Sequence, residues 1–295
     1  MLGTIDSQRF EDIADAIREK LGTTDEWKPS QMPAAIRSID GGYEPVKIVS
    51  WAEGSNTDIA AMIDGARRGV IDLHDYWTVG DERVVSLTAM PDTMTGESHV
   101  AQSIVLVLMD ADCTGFTYNE ADNNGNTTPK FMVGIKGVLN NGTSYESGYI
   151  NASSSNSGGW KDSDRRTWCN EMLFQSLPIY IQTSFREFKW KTGKGGDNTG
   201  GLNETIDFLG LYPEKVIMGT NTIYAQADES ALYTQWEYYE NASNRIKYVN
   251  NSAAGYWTAS TPSGTSGMWV YIGGTGTPRT ISPNAVAAIT AFGCI

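Results

Sequence analysis

Charged side chains are almost absent from the last 44 residues of this 295-residue chain. Between Ser252 and Ile295 only Arg279 is charged, whereas the overall charged fraction of 19% would place about eight charged residues among 44. Gly, Ser, Thr, Ala and aromatic residues fill the segment, as in GYWTASTPSGTSGMWVYIGGTGTPRT. Such a segment is either buried throughout or a recognition surface of small polar groups with aromatic anchors. Because the Gly-rich turns at 262–267 and 273–278 cannot all be buried strand, we predict an exposed binding surface.

We predict that the ligand-binding residues lie in this segment. Side chains alternate along a strand, so Met268, Val270 and Ile272 would face one way and Trp269 and Tyr271 the other. Periodicity leaves open which set is exposed, and the other set would belong to the core. The predicted ligand-binding residues are Tyr256, Thr258, Ala259, Ser263, Ser266, Met268, Trp269, Val270, Tyr271, Ile272 and Thr275.

Composition argues against several classes of partner. A net charge of −13 disfavours nucleic acid, because such binding depends on Lys and Arg neutralising phosphates. No apolar run approaches the roughly 20 residues needed to cross a bilayer, so no membrane span is predicted. The N-terminus lacks the basic-then-apolar pattern of a secretion signal, which favours synthesis in the cytoplasm. Cys113, Cys169 and Cys294 fit neither a disulfide framework nor a metal spacing and are predicted to be free thiols.

Motifs for catalysis are weak. The histidines are His74 and His99, and each is more typical of a hydrogen-bonded structural residue than of a zinc ligand. Adjacent strand residues point to opposite faces, so Ser98 and His99 cannot form a nucleophile and base pair. The segment from Asp110 to Glu120 approaches a calcium loop, but its last acidic residue falls one position early. We therefore predict no enzyme activity, no metal and no cofactor.

The chain divides into a helical start and a larger domain. Apolar residues at helical spacing predict a helix over 6–21 and a shorter one after Pro29, which together form a hairpin within residues 1–42. Two short helices are marginal alone, so we expect this hairpin to bind copies of itself or another protein, or else to pack on the following domain. After a linker at 43–46, the many short strands and few helices of residues 47–295 predict an α+β domain.

Two stretches resemble known phage proteins. The opening IADAIREKLGTTDEWKPSQMPAAIRSI resembles a helical segment at the front of tail and baseplate-associated proteins of phages and prophages of Gram-positive gut bacteria. Further stretches that carry a resemblance are IVSWAEGSNTDIAAMIDGARRGVIDLHDYWTVGDERVV, GESHVAQSIVLVLMD, NSGGWKDSDRRTWCNEMLFQSLP, QWEYYENASNRIK, YWTAS and AFGCI. Through them, most of 47–295 resembles a family of uncharacterised phage and bacterial domains with a C-type lectin-like fold. The resemblance implies that the first and last strands pair, with 46–51 beside 288–295, and that the penultimate loops form the ligand face.

The resemblance also implies a function. It indicates a phage tail-tip or receptor-binding protein that is made in the bacterial cytoplasm, located in the virion and directed at a host cell-surface protein or glycan. Residues 1–42 would bind other tail proteins, and a homotrimer would strengthen weak contacts through multivalency. Some phage proteins of this fold are varied by diversity-generating retroelements, whose products tend to read Trp-Trp-x-Arg-Ser-Pro where this chain has WTASTP from Trp257 onwards.

Two alternatives remain open at this point. A purely structural tail or baseplate component would use the same polar loops to contact neighbouring subunits. The second alternative is an enzyme that acts on host surface glycan. The formylglycine-generating enzymes that share the fold use a cysteine pair, whose spacing this sequence lacks, and the Glu-Pro-Asn, Gln-Pro-Asp and Trp-Asn-Asp motifs of calcium-dependent sugar binding are also missing.

Overall fold

The computed structural model describes residues 14–19, 46–91, 98–122, 125–139 and 147–295. The chain divides into two compact units, Met1–Lys47 and Ile48–Ile295. In the first unit, residues 14–19 are helical, within the helix predicted over 6–21, and Ala14 and Ile17 on its apolar face are buried. The second predicted helix and most of the predicted linker lie outside the described residues.

Short strands dominate the second unit, which is a mixed α and β structure. The strands are β1 (Glu82–Leu87), β2 (Met90–Pro91), β3 (Ser98–His99), β4 (Gln102–Ala111), β5 (Thr117–Tyr118), β6 (Phe131–Ile135), β7 (Ser147–Gly148), β8 (Phe188–Gly193), β9 (Leu202–Asp207), β10 (Lys247–Val249), β11 (Ser252–Ala254), β12 (Tyr256–Trp257), β13 (Trp269–Ile272), β14 (Pro278–Ile281), β15 (Ala287–Ala288) and β16 (Phe292–Cys294).

The helices are short and lie between the strands. They are α1 (Asn56–Arg67), α2 (Asp164–Trp168), α3 (Phe174–Ser176), α4 (Ile179–Ser184), α5 (Glu214–Met218), α6 (Ala227–Ser230) and α7 (Glu237–Glu240). Helix α1 begins after Ser55, whose side chain caps the first turn by accepting from the backbone N of Asp58 at 3.1 Å. In the part of the chain that is described, no helix is long and apolar enough to cross a membrane.

Three sheets organise these strands. The first is antiparallel in the order β1-β4-β6-β16, and the second has the order β14-β13-β12-β15-β7 with β12 and β15 parallel. The third is β5-β8-β9, and two-stranded ladders join β10 to β11 and β2 to β3. Exposure alternates along β1 at one edge of the first sheet, whereas every residue of β6 and β16 is buried. β16 lies at the opposite edge, where isolated bridges to Arg186 and Gly210 cover it. The chain therefore ends in the core.

An aromatic cluster fills the centre of this core around Phe292 of β16. Its ring lies 5.1 Å from that of Trp236, 5.3 Å from that of Phe188 and 5.4 Å from that of Tyr212, measured between centroids. Such tilted and edge-on contacts add to the free energy gained by burying large apolar area. The cluster joins the last strand of the chain to the third sheet and to the segments around α5 and α7.

The strand predicted at 46–51 is wrong. Residues 46–50 form no strand and do not pair with the end of the chain; β16 pairs with β6 instead. The Trp77 indole donates to the backbone O of Val49 at 3.0 Å, so side chains take up the backbone groups that a strand would use.

Candidate functional site

The predicted binding segment is exposed only in part. Ser263, Ser266 and Thr275 are exposed, and Met268 and Tyr271 are partly exposed. The other six predicted residues have 0% exposed surface, which contradicts the expectation that they contact a ligand: Tyr256, Thr258, Ala259, Trp269, Val270 and Ile272.

These six residues are buried because β12 and β13 lie inside the second sheet and are covered on both faces. The Trp269 indole donates to the backbone O of Thr258 at 2.8 Å, and the Thr258 hydroxyl donates to the backbone O of Val270 at the same distance. The Tyr256 hydroxyl donates to the backbone O of Arg245 at 3.0 Å. The polar atoms of these side chains are thus hydrogen-bonded within the protomer. Both alternating sets of side chains along residues 268–272 contain buried residues, so neither set forms an exposed face.

The exposed part of the loop that joins β12 to β13 is residues 263–267, and three other loops adjoin it. Thr275 is exposed separately, in the turn between β13 and β14. We call the surface of the four loops the four-loop face and define it as residues 152–158, 194–201, 219–226 and 262–268. Of its residues only Lys194 and Asp197 are charged, so the face is neutral overall in a chain of net charge −13. The scarcity of charge near the C-terminus points only to the last of these loops, although SSSNSGG at 153–159 and GGDNTGG at 195–201 are equally rich in small polar residues and glycine.

Asn156 holds three parts of the four-loop face together from inside. Its side chain is fully buried, and its amide nitrogen donates to the backbone O of Thr265 at 2.7 Å and of Met268 at 2.6 Å. The amide oxygen accepts from the backbone N of Gly196 at 2.8 Å. One buried amide therefore fixes the spacing of the loops 152–158, 194–201 and 262–268, because an unpaired donor or acceptor there would be costly.

Glycine is required where two of these loops meet. A Cβ at Gly195 would lie 1.9 Å from the backbone O of Asn156, and the backbone φ of Gly195 is +63°. Farther along, Asn198 accepts from the backbone N of Gly264 at 2.9 Å through its own backbone O, and its side chain donates to the backbone O of Gly195 at 2.6 Å. The contact between 194–201 and 262–268 is thus made mainly by backbone groups.

The loop 219–226 is held by the buried carboxylate of Glu214. This carboxylate accepts from three successive backbone N atoms, at 2.8 Å from Ile223, 3.0 Å from Tyr224 and 2.6 Å from Ala225. Burial raises the pKa of Glu214, while these three donors counteract the increase. Ala225 in turn pairs with Pro262, which connects this loop to 262–268.

A second buried carboxylate lies beneath the face. Glu229 accepts from the backbone N of Gly193 at 2.6 Å and from the hydroxyl of Ser260, whose oxygen also accepts from the backbone N of Glu214 at 2.8 Å. Burial raises the pKa of Glu229 to about 7, and the nearby carboxylate of Glu214 adds to the increase. Glu229 therefore joins the residues that precede the loops 194–201 and 262–268. Because this carboxylate and hydroxyl are fully buried, they are not accessible to a substrate.

Histidine and cysteine side chains are candidate ligands within the described ranges. There, no group of three or more His, Cys, Asp or Glu side chains could hold a metal ion. His74 lies between the backbone O of Lys130, 3.0 Å from Nε2, and the carboxylate of Asp72, 3.1 Å from Nδ1, which is a structural arrangement. Cys113, Cys169 and Cys294 are buried thiols.

A groove of about 550 Å³ lies elsewhere, between β4 and the ladder of β10 and β11. Val105, Tyr238 and Tyr248 are among the residues that line it. Its one charged lining residue, Lys136, is paired with Glu82 at 2.6 Å. The groove therefore contributes space and apolar surface but brings no reactive group into position.

Comparison with known proteins adds no identification. No family model, curated protein or solved structure matches the chain.

Proposed function

We propose that this chain is a phage tail-tip or receptor-binding protein that recognises a host cell-surface molecule through the four-loop face. One observation carries the proposal: loops from four separate parts of the chain are joined by buried side chains and backbone hydrogen bonds into one nearly uncharged surface. Small polar residues on a rigid scaffold are the composition of adaptable binding loops. No chemical step is needed for this function.

The remainder of the proposal comes from the resemblance found in the sequence. The second unit would be a C-type lectin-like domain, residues 1–42 would bind other tail proteins, and a homotrimer in the virion would present several faces at once. Diversification by a retroelement would act on the exposed residues 263–267, because the preceding residues Thr258 to Pro262 are buried. A near-identical template repeat beside the gene would support this part of the proposal.

The test measures adsorption of the fluorescently labelled full-length chain to a panel of Gram-positive gut bacteria. Ser266→Arg places a large charged side chain on the four-loop face, and Ser86→Arg makes the same change at an exposed position of β1. We expect S266R to lower adsorption about tenfold or more, equivalent to about 1.4 kcal/mol of binding free energy, and S86R to leave it unchanged.

Three results would count against the proposal. Adsorption of the unchanged chain to none of the strains would contradict receptor binding and favour a purely structural tail component. Equal loss from S266R and S86R would show that the four-loop face is not the binding surface. Release of saccharide fragments from cell-wall material would instead favour an enzyme that acts on host surface glycan.

A further inference from the structure

Three of the four loops begin or end at one buried point below the four-loop face. Gly193 directly precedes the loop 194–201, Gln226 is the last residue of the loop 219–226, and Thr261 directly precedes the loop 262–268. The side chains of Gln226 and Thr261 are both fully buried. Their polar atoms are therefore shielded from bulk water, and any hydrogen-bond partner must be internal.

Two side-chain oxygens at this point are unpaired. Neither the Oε1 of Gln226 nor the Oγ1 of Thr261 has a hydrogen-bond partner in the part of the chain that the structure describes. The other end of the Gln226 amide fixes its orientation, because Nε2 donates to the backbone O of Asn198 at 3.2 Å. Exchanging the amide oxygen and nitrogen would set two acceptors against each other there. A buried acceptor without a donor is costly, so these oxygens call for a partner.

Gly193 shows that the two oxygens converge. A Cβ on this residue would lie 2.9 Å from Gln226 Oε1 and 2.9 Å from Thr261 Oγ1. The two oxygens are thus at most twice that distance apart, although they form no hydrogen bond with each other. Two hydrogen bonds of about 2.8 Å each, made through one shared atom, span such a separation.

The donor set favours a water molecule over a cation. A hard cation such as Ca²⁺ takes about six to eight oxygen ligands, usually with carboxylates among them. The Glu229 carboxylate lies beside Gly193, but it already accepts from the backbone N of that residue at 2.6 Å and from the Ser260 hydroxyl. A water molecule needs only a few polar partners. It can accept the proton of the Thr261 hydroxyl and donate to the amide oxygen of Gln226.

We propose that one internal water molecule bridges Gln226 and Thr261 beneath the four-loop face. Its oxygen accepts from the Thr261 hydroxyl, and one of its protons is donated to Gln226 Oε1. The bridge joins the end of the loop 219–226 to the start of the loop 262–268, beside the residue at which the loop 194–201 begins. This inference concerns how the face is held together and does not depend on what the face binds.

A crystal structure of the full-length chain that shows ordered internal waters tests the inference. We expect one density peak within about 3.2 Å of both Gln226 Oε1 and Thr261 Oγ1. Thr261→Val keeps the shape of the side chain but removes the hydroxyl, so the peak should be lost. Thr258→Val is the matched control at a second fully buried threonine, whose hydroxyl donates to the backbone O of Val270 at 2.8 Å. The peak should remain in T258V.

Oxygen-17 relaxation dispersion tests the same water in solution, because it counts internal waters that exchange slowly with the solvent. T261V should hold one fewer such water than the unchanged chain, and T258V should hold the same number. Equal counts in T261V and the unchanged chain would overturn the inference. So would a structure of the unchanged chain with no peak between the two oxygens, or with a direct hydrogen bond between them. A peak with about six oxygen ligands at about 2.4 Å would identify a cation instead and would also overturn it.

Discussion

Glu229 should make the stability of this protein depend on pH between about 4.5 and about 7. Its carboxyl group is fully buried, and among the described residues no Lys or Arg forms an ion pair with it. Burial raises its pKa from 4.5 to about 7, with a further contribution from the charge of Glu214. Tyr233 is the other titratable group that interacts with it. Hydrogen bonds from Gly193 and Ser260 only partly offset the loss of hydration.

The sign follows from the raised pKa. The folded protein keeps the Glu229 proton at pH values where the unfolded chain has released it, so this contribution to stability is fully present below pH 4.5. It decreases as the pH rises and is lost above about pH 7. At 1.36 kcal/mol per pH unit, the interval from 4.5 to about 7 corresponds to about 3 kcal/mol of unfolding free energy.

Urea unfolding of Glu229→Gln and of the unchanged chain at several pH values from about 5 to about 8 tests this reasoning. The amide cannot ionise, so the unchanged chain should lose up to about 3 kcal/mol relative to E229Q over that range. Glu171→Gln, at an exposed position, should follow the unchanged chain. A constant difference between E229Q and the unchanged chain would refute the assignment of a buried, proton-binding Glu229.

Two further substitutions test buried charges elsewhere in the second unit. Burial lowers the pKa of Lys247 from 10.5 to about 7, so the free energy of unfolding should rise with pH between about 7 and 10. Lys247→Met should remove that rise, and the same pH dependence in both proteins would contradict the assignment. Asp207→Asn should lower the free energy of unfolding, measured in urea, by on the order of 3 kcal/mol. The reason is that Asp207 pairs with Arg166 at 2.7 Å and accepts a hydrogen bond from the Trp160 indole at 3.0 Å. Asp162→Asn, at an exposed position, is its control, and an equal loss there would contradict the role of Asp207.

Periodic segments of this fold could be predicted from the sequence, whereas segments defined by distant partners could not. Helix α1 has a Ser cap and apolar residues at helical spacing, and β4 has an uninterrupted apolar run, so each carries its own signal. Residues 46–50 look equally strand-like, but side chains from other parts of the chain, such as Trp77, occupy their backbone groups. Tertiary contacts of this kind leave no trace in local periodicity.

The candidate site divides in the same way. The sequence located one of its loops, 262–268, through the turn residues Gly, Ser and Thr. It did not locate Asn156 or Glu214, because their importance depends on which loops meet in space. A buried Asn or Glu looks like any surface Asn or Glu until its hydrogen-bond partners are known.

The scarcity of charge near the C-terminus has two separate physical causes. All of residues 287–295 and most of β12 and β13 are buried, and burial excludes an unpaired charge because its hydration would be lost. Residues 263–267 are exposed and could carry charge, yet they do not. Composition alone cannot separate these cases, since Gly, Ser and Thr are compatible with both. Only the exposed part therefore calls for a functional explanation, and under the proposed function an uncharged surface of small polar residues would meet the host molecule there.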